Sequence, residues 1–433
     1  MPRSKKCSVP AATEPGPVSP VEAGRLFSSV EQCRCLLLAV SGGSDSMALM
    51  VLADRWARET GWPGRLHVAV VDHGLRPEAA DEAAFVEREA KRLGLKAHVL
   101  NWSGPYPKTG IPAAAREARY GLLCGLARTL DAAVLTAHTQ DDQAETVVMR
   151  LARGSGVDGL SAMETGTVRD GVTLVRPLLP VSRQRLRDTL RQAGMTWIDD
   201  PTNENMTHER VRVRKALDVL DGLGVSREAV ALTAARLGRA RSALEVAQAG
   251  LMQVAVRIKA NSYAEIDLEC WVHGPAELQV RVIMTLASMF GGGQEISLSG
   301  AERVRDWTLA GQGRATTFAG CRFARRKREI VVGREAARIG CHGERLSGVI
   351  VWDNRYEIAV PAGLLPATVV PARDCKGLAR PRDIPDFVWQ GLPVVCCERG
   401  HFTPPGAAHG GEAGDKQPVF RLIHAPLRAH HAR

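Results

Sequence analysis

Residues 36–49 read LLLAVSGGSDSMAL, and the fold turns on how that stretch is parsed. Leu36–Val40 is a short apolar run of strand length, and Ser46 onward repeats apolar residues at three- and four-residue steps, as a helix does. Between them lies a corner, Ser41-Gly42-Gly43-Ser44-Asp45-Ser46. A glycine turn that joins a strand to a helix start gathers backbone N–H groups at the positive end of the helix dipole, where a phosphate can bind. Gly42 and Gly43 permit backbone conformations and close approaches that a Cβ would block. Ser41, Ser44 and Ser46 add hydroxyl donors. Asp45 is anomalous beside polyphosphate unless a cation lies between them, which points to Mg²⁺ or to another nucleotide group. The other parse makes the corner an ordinary turn with Ser44 or Asp45 as helix N-cap. Neither a Gly-Lys-Ser/Thr loop nor a Gly-x-Gly-x-x-Gly fingerprint is present.

Working outward, strand-like runs at 67–72, 96–102, 133–137 and 173–178 alternate with helical patterns such as EAADEAAFVEREAKRLG and PAAAREARYGLLCGLARTL. That alternation predicts an α/β domain with a doubly wound parallel sheet, whose ligands sit at the carboxyl ends of the strands. In the segment 216–315, Leu237, Ala240, Leu244, Ala247, Leu251 and Val254 predict a helix with one buried seam. Strand-like runs return after about 318 and predict a small β-containing C-terminal domain. The Gly-, Pro- and His-rich residues from 401 to 433 and the first 30 residues read as poorly ordered.

With 433 residues, the chain has length for more than one core, and 57 Lys and Arg against 47 Asp and Glu give a net charge of +10. The excess suits an anionic partner or simply a basic enzyme. No run is long enough to span a bilayer and no apolar segment follows the basic N-terminus, so a cytosolic, non-membrane protein is expected. The ten cysteines include no Cys-x-x-Cys, which argues against a zinc knuckle, an iron–sulfur cluster or a disulfide framework.

Four further clusters fall at strand ends or near the first boundary. TAHTQDDQAET places His138, Asp142 and Glu145 on one face of a helix start, where two carboxylates could hold Mg²⁺ or serve as a base, or could merely suit the helix dipole. VDHGLR offers His73 and Arg76. AAAREARY offers Arg116 and Arg119, suited to bidentate phosphate contact or to a solvated helix face. DDPTNENMTHERVRVRK alternates Arg210, Arg212 and Arg214 with valines, a pattern open between a half-buried strand and a phosphodiester contact.

SGGSDS resembles the PP-loop of the N-type ATP pyrophosphatases, and all five clusters in this order resemble the tRNA(Ile)-lysidine synthase family over about residues 34–215. The resemblance is weaker beyond that. It implies an ATP-dependent carbon–nitrogen ligase that adenylates C2 of the wobble cytidine in the CAU anticodon of tRNA(Ile) and lets L-lysine displace AMP. It further implies ATP phosphates on Ser41 to Ser46, Mg²⁺ near Asp45 and Asp142, and catalysis by Asp45, Asp142, Glu145 and His138. His73, Arg76, Arg116, Arg119, Arg210, Arg212 and Arg214 would then meet substrate or tRNA. Thr139 and Val211 depart from the family pattern and inherit no role. On this reading residues 31–215 are catalytic, 216–315 bind tRNA, and 316–400, with the basic run Arg322, Arg325, Arg326, Lys327 and Arg328, assist. The oligomeric state is open, a dimer included.

Overall fold

In the computed structural model, the first strand, β1 (Cys35–Ala39), is buried through its first four residues because helices cover both of its faces. The structure describes residues 16–74, 79–104, 109–199, 209–340, 344–345, 348–404 and 417–423. These fall into two compact units that divide between Arg241 and Ser242.

The first unit carries β2 (Arg65–Asp72), β3 (Lys96–Asn101), β4 (Ala133–Leu135), β5 (Gly166–Arg169) and β6 (Val172–Val175). Their order, β3-β2-β1-β4-β6-β5, is parallel except for the β5–β6 hairpin. The chain builds outward from β1 through β2 and β3, then returns to place β4 on the other side of β1. That reversal makes the carboxyl ends of β1 and β4 the topological switch point, where open α/β sheets form their ligand crevice.

Its helices are α1 (Pro20–Phe27), α2 (Ser44–Thr60), α3 (Ala79–Arg92), α4 (Ile111–Leu130), α5 (Gln140–Leu151), α6 (Val157–Leu160), α7 (Arg183–Gln192), α8 (Glu209–Gly222) and the start of α9 (Arg227–Ala255). Side chains alternate along β1, so Leu36 and Leu38 pack with Met47, Val86 and Leu186 from α2, α3 and α7, while Leu37 packs with Leu123 and Ala127 of α4 on the opposite face. Truncating a fully buried leucine such as Leu37 to alanine costs about 2–5 kcal/mol.

The structure departs from the sequence expectations in several places. The stretch 20–27, expected within a disordered leader, is α1; Ala23 and Phe27 are buried, and the Arg185 guanidinium binds both oxygens of Glu22 at 2.6 Å. Residues 1–15 lie outside the described residues. The arginine–valine alternation near 210 belongs to helix α8, whose buried Val211 and Leu217 set a helical face that outweighs three alternating pairs. In α9 Leu251 is buried and Leu237 and Leu244 are half-buried, but Ala240, Ala247 and Val254 are exposed; Ala234 and Ala255 take the other buried places, one residue around the helix.

The second unit continues α9 into β7 (Val256–Lys259), β8 (Tyr263–Asp267), α10 (Leu268–Trp271), α11 (Ala276–Phe290) and α12 (Leu298–Ala310). Strands β9 (Ala315–Phe318), β10 (Cys321–Arg325) and β11 (Glu329–Arg334) complete an antiparallel sheet with β7 and β8. Two smaller sheets follow. One joins β12 (Glu344–Arg345), β15 (Ala367–Pro371), β16 (Pro393–Cys397) and β17 (Gly400–Phe402), and the other joins β13 (Val349–Trp352), β14 (Tyr356–Ala359) and β18 (Val419–Leu422). The short helix α13 (Asp386–Trp389) precedes β16. Trp271, Phe290, Phe323 and Tyr356 share one core, so residues on either side of 315 pack together. β18 lies within the stretch expected as a loose tail and pairs with β14. Residues 405–416 and 424–433 of that tail lie outside the described residues. Among the described residues no helix is long and apolar enough to cross a membrane.

Candidate active site

The corner after β1 is built by its own serines. Ser46 Oγ donates to the Gly43 carbonyl at 2.9 Å and accepts from the Ser41 N–H at 3.1 Å, which folds the loop back on the first turn of α2. Its hydroxyl is therefore engaged within the loop, while Ser46 also lines the cleft described below. Gly42 has φ +88°, and a Cβ there would lie 2.9 Å from Cδ1 of Ile198, whose N–H also donates to the Gly42 carbonyl at 3.0 Å. The positive φ favours glycine at 42, and a Cβ there would also displace the end of the Ile198 side chain. The N-cap of α2 is Gly43, and no side chain caps the helix. Ser44 and Asp45 are thus not caps, and the first N–H groups of α2 keep the capacity to bind an anion.

The end of β4 is built in the opposite manner. Thr139 is the N-cap of α5 and forms a capping box with Asp142: the Thr139 N–H and Oγ–H each donate to Asp142 Oδ2 at 2.9 Å. One turn on, Glu145 is 1% exposed, and its Oε2 has no hydrogen-bond partner.

Arg183, the first residue of α7, joins these ends. Its guanidinium lies 3.0 Å from Asp45, 3.4 Å from Asp142 and 3.8 Å from Glu145, while its backbone N–H donates to Asp141 at 2.8 Å. Arg214 binds Glu145 Oε1 at 2.5 Å, and Arg210 stands 4.0 Å from Asp142. Residues 210 and 214 are one helical turn apart on α8, which aims both at α5. Arg212, on another face, is exposed.

The four acidic and basic groups titrate differently as a result. Burial raises the Glu145 carboxyl despite Arg214, and burial raises Asp45 despite Arg183. For Asp142 burial pulls upward too, but Arg183 and the Thr139 N–H outweigh it and its pKa falls below the ordinary carboxylate value. His138 is lowered to about 4, chiefly by burial, which prevails over the opposing Asp142 carboxylate and is reinforced by nearby arginines, so its ring is neutral at pH 7. Its Nδ1 lies 3.0 Å from Thr136 Oγ1.

A cleft of about 340 Å³ opens beside this cluster, lined by Ser41, Gly43, Ser44, Asp45, Ser46, Arg116, Arg119, Tyr120, His138, Arg183 and Arg214, with Asp142 and Glu145 outside its lining. His73 sits at its β2 side, with Nε2 3.2 Å from Arg119. Arg76 lies outside the described residues. The sequence had no local signal for Arg183, whose carboxylate partners come from elsewhere in the chain; only its place after Ser182, the N-cap of α7, marks a helix start.

A doubly wound sheet with a bare, glycine-turned helix start at its switch point, facing a carboxylate cluster, defines a PP-loop domain. Residues 19–219 match the family model described as the PP-loop domain. A tRNA(Ile)-lysidine synthase of Bradyrhizobium diazoefficiens is 46% identical over 282 residues, covering 64% of this chain and 78% of that one. Another, from Wolbachia pipientis, is 31% identical over 406 residues, covering 90% of this chain and 93% of its own. Among solved structures, a U34-tRNA thiolase from Methanococcus maripaludis aligns with 50% of this chain and 78% of its own at TM-score 0.43 and 16% identity, a likeness too low to bear on function. The chain belongs to the tRNA(Ile)-lysidine synthase family.

Proposed function

We propose that this chain uses ATP to join L-lysine to C2 of the wobble cytidine in the CAU anticodon of tRNA(Ile). The observation that carries the reading is the convergence of an uncapped helix start and an Arg183-bridged carboxylate cluster on one cleft at the sheet's switch point. In the first step the cytidine C2 oxygen attacks the α-phosphorus of ATP and pyrophosphate leaves. The corner from Ser41 to Ser46 holds the phosphates through backbone N–H groups, and Arg183 stands beside it with positive charge. In the second step a lysine amine attacks C2 and the oxygen departs with AMP.

The carboxylates divide the work by environment. Asp142, held ionised by Arg183 and Thr139, keeps its charge, and Glu145, raised by burial and with Oε2 unpartnered, takes the proton that the attacking amine loses. His138 is too weak a base for that proton at pH 7 and serves as a neutral hydrogen-bonding group. The donor set fits Mg²⁺, since Asp45 and Asp142 bring hard carboxylate oxygens to the same Arg183 guanidinium, at 3.0 and 3.4 Å, and these two would hold the ion. When bound, the ion offsets charge on the pyrophosphate. Arg116 and Arg119 at the cleft, Arg212 on α8 and the exposed Arg326, Lys327 and Arg328 are assigned to tRNA phosphates.

Pyrophosphate release tests this reading. A burst should require tRNA(Ile) with ATP, and sustained turnover should require lysine as well. Release that needs neither, or that needs a sulfur donor, would overturn it.

A further inference from the structure

The last sheet gathers three metal-ligating side chains that the active site does not use. Cys396 on β16 and His401 on β17 are paired opposite one another across the hairpin, and Cys375 follows a short turn beyond β15. The Sγ atoms of Cys375 and Cys396 are 3.9 Å apart, and these two sulfurs and an imidazole nitrogen of His401 all lie within 4.8 Å of one another. The backbone fixes this meeting: the Ala372 N–H donates to the Leu392 carbonyl at 2.9 Å, which ties the turn before Cys375 to the segment leading into β16.

The neighbouring cysteine sharpens the case. Residues alternate across a strand, so Cys396 packs toward the cluster of Ala372, Val388 and Val394, whereas Cys397 packs on the other core and approaches the Gly400 carbonyl at 3.7 Å. Only one of the vicinal pair therefore belongs to the triad. A disulfide would need the sulfurs at about 2.05 Å, whereas two thiolates on one tetrahedral zinc, with Zn–S near 2.3 Å, stand about 3.8 Å apart.

We propose that Cys375, Cys396 and His401 form a Zn²⁺ site in the second unit, these three being its ligands among the described residues. Two thiolates and an imidazole suit this borderline-soft ion and not Mg²⁺ or Ca²⁺. Binding releases the thiol protons and clamps the turn before Cys375 onto the β16–β17 hairpin, so metal and local stability are linked. The sequence conceals the site because its ligands are not arranged as Cys-x-x-Cys.

The test uses full-length protein, stripped with a chelator and titrated with Zn²⁺ or Co²⁺ alone. Wild type should take up about one zinc per chain and show a thiolate-to-cobalt charge-transfer band, while C396S and H401Q take up about a tenth as much or less. C397S should bind like wild type. Circular dichroism of each variant separates lost ligation from lost folding, and the wild-type titration needs no variant. The proposal is overturned if wild type binds no stoichiometric zinc, if C397S loses as much as C396S, or if peptide mapping finds a Cys375–Cys396 disulfide in protein handled without reductant.

Discussion

β1 and β4 are adjacent in one sheet, and each ends in a helix start, yet the two starts are built in opposite ways. After β1, Gly43 leaves the N-terminus of α2 without a side-chain cap. After β4, Thr139 and Asp142 cap α5 reciprocally. Both helices have the same dipole, so the dipole alone does not make a site. What differs is whether the chain's own side chains consume the first N–H groups. The bare start is left open to an external anion, and the capped start brings an anion of its own, which joins the carboxylates around Arg183.

Breaking the first end should have the larger effect. Asp45→Asn should lower lysidine formation by about 10³-fold while tRNA affinity stays near wild type, because the substitution removes charge from the cleft and not from the tRNA-facing surface. Gly42→Ala should weaken ATP binding by about 100-fold, since the new Cβ faces both an unfavourable φ and Ile198. Equilibrium ATP binding and single-turnover assays check both. Unchanged ATP affinity in Gly42→Ala would remove the corner from the phosphate site.

A paired measurement sharpens the contrast. Thr139→Ala should cost about 1 kcal/mol in urea unfolding and leave ATP affinity unaltered. Ser44→Ala should change stability by less than about 0.5 kcal/mol and weaken ATP a few-fold. If the two substitutions behave alike, the distinction between the helix starts is wrong.

A pH effect of similar size follows from His138. Its pKa falls from an ordinary 6.5 to about 4 on folding, so the unfolded chain binds more protons between those values and stability is lost as pH falls through that window. Asp45 and Glu145, raised on folding, act with the opposite sign. The wild type should therefore lose on the order of 1–2 kcal/mol more than His138→Gln between pH 7 and pH 5. Equal losses would show that His138 is not desolvated.

The smallest effect separates the α8 arginines. Arg212→Gln should reduce the slope of log tRNA affinity against log salt by about 0.7–0.9. Arg214→Gln, bonded to Glu145, should leave that slope intact and slow lysine transfer.

The sheet and the glycine corner were legible because strand ends and helix starts are marked locally, by apolar runs and by Gly42 and Gly43. The antiparallel β5 was missed because it is a four-residue, largely exposed edge strand with little apolar pattern. Asp142 and Glu145 were legible through their spacing on one turn. Arg183 was not, because its partner Asp45 is 138 residues away in sequence and no periodicity records a long-range ion pair. The surroundings of Arg210 and Arg214, which face α5, and of the exposed Arg212 became separable only once helix α8 set their faces.

The uncapped corner is expected to serve adenylation, and the capped end to serve lysine transfer. Rapid-quench analysis of Glu145→Gln with [α-³²P]ATP and tRNA(Ile) tests it most directly. The expected result is labelled tRNA adenylate that forms at near wild-type rate and persists when lysine is added. A variant that forms no adenylate, or that passes it to lysine as fast as wild type, would contradict the claim.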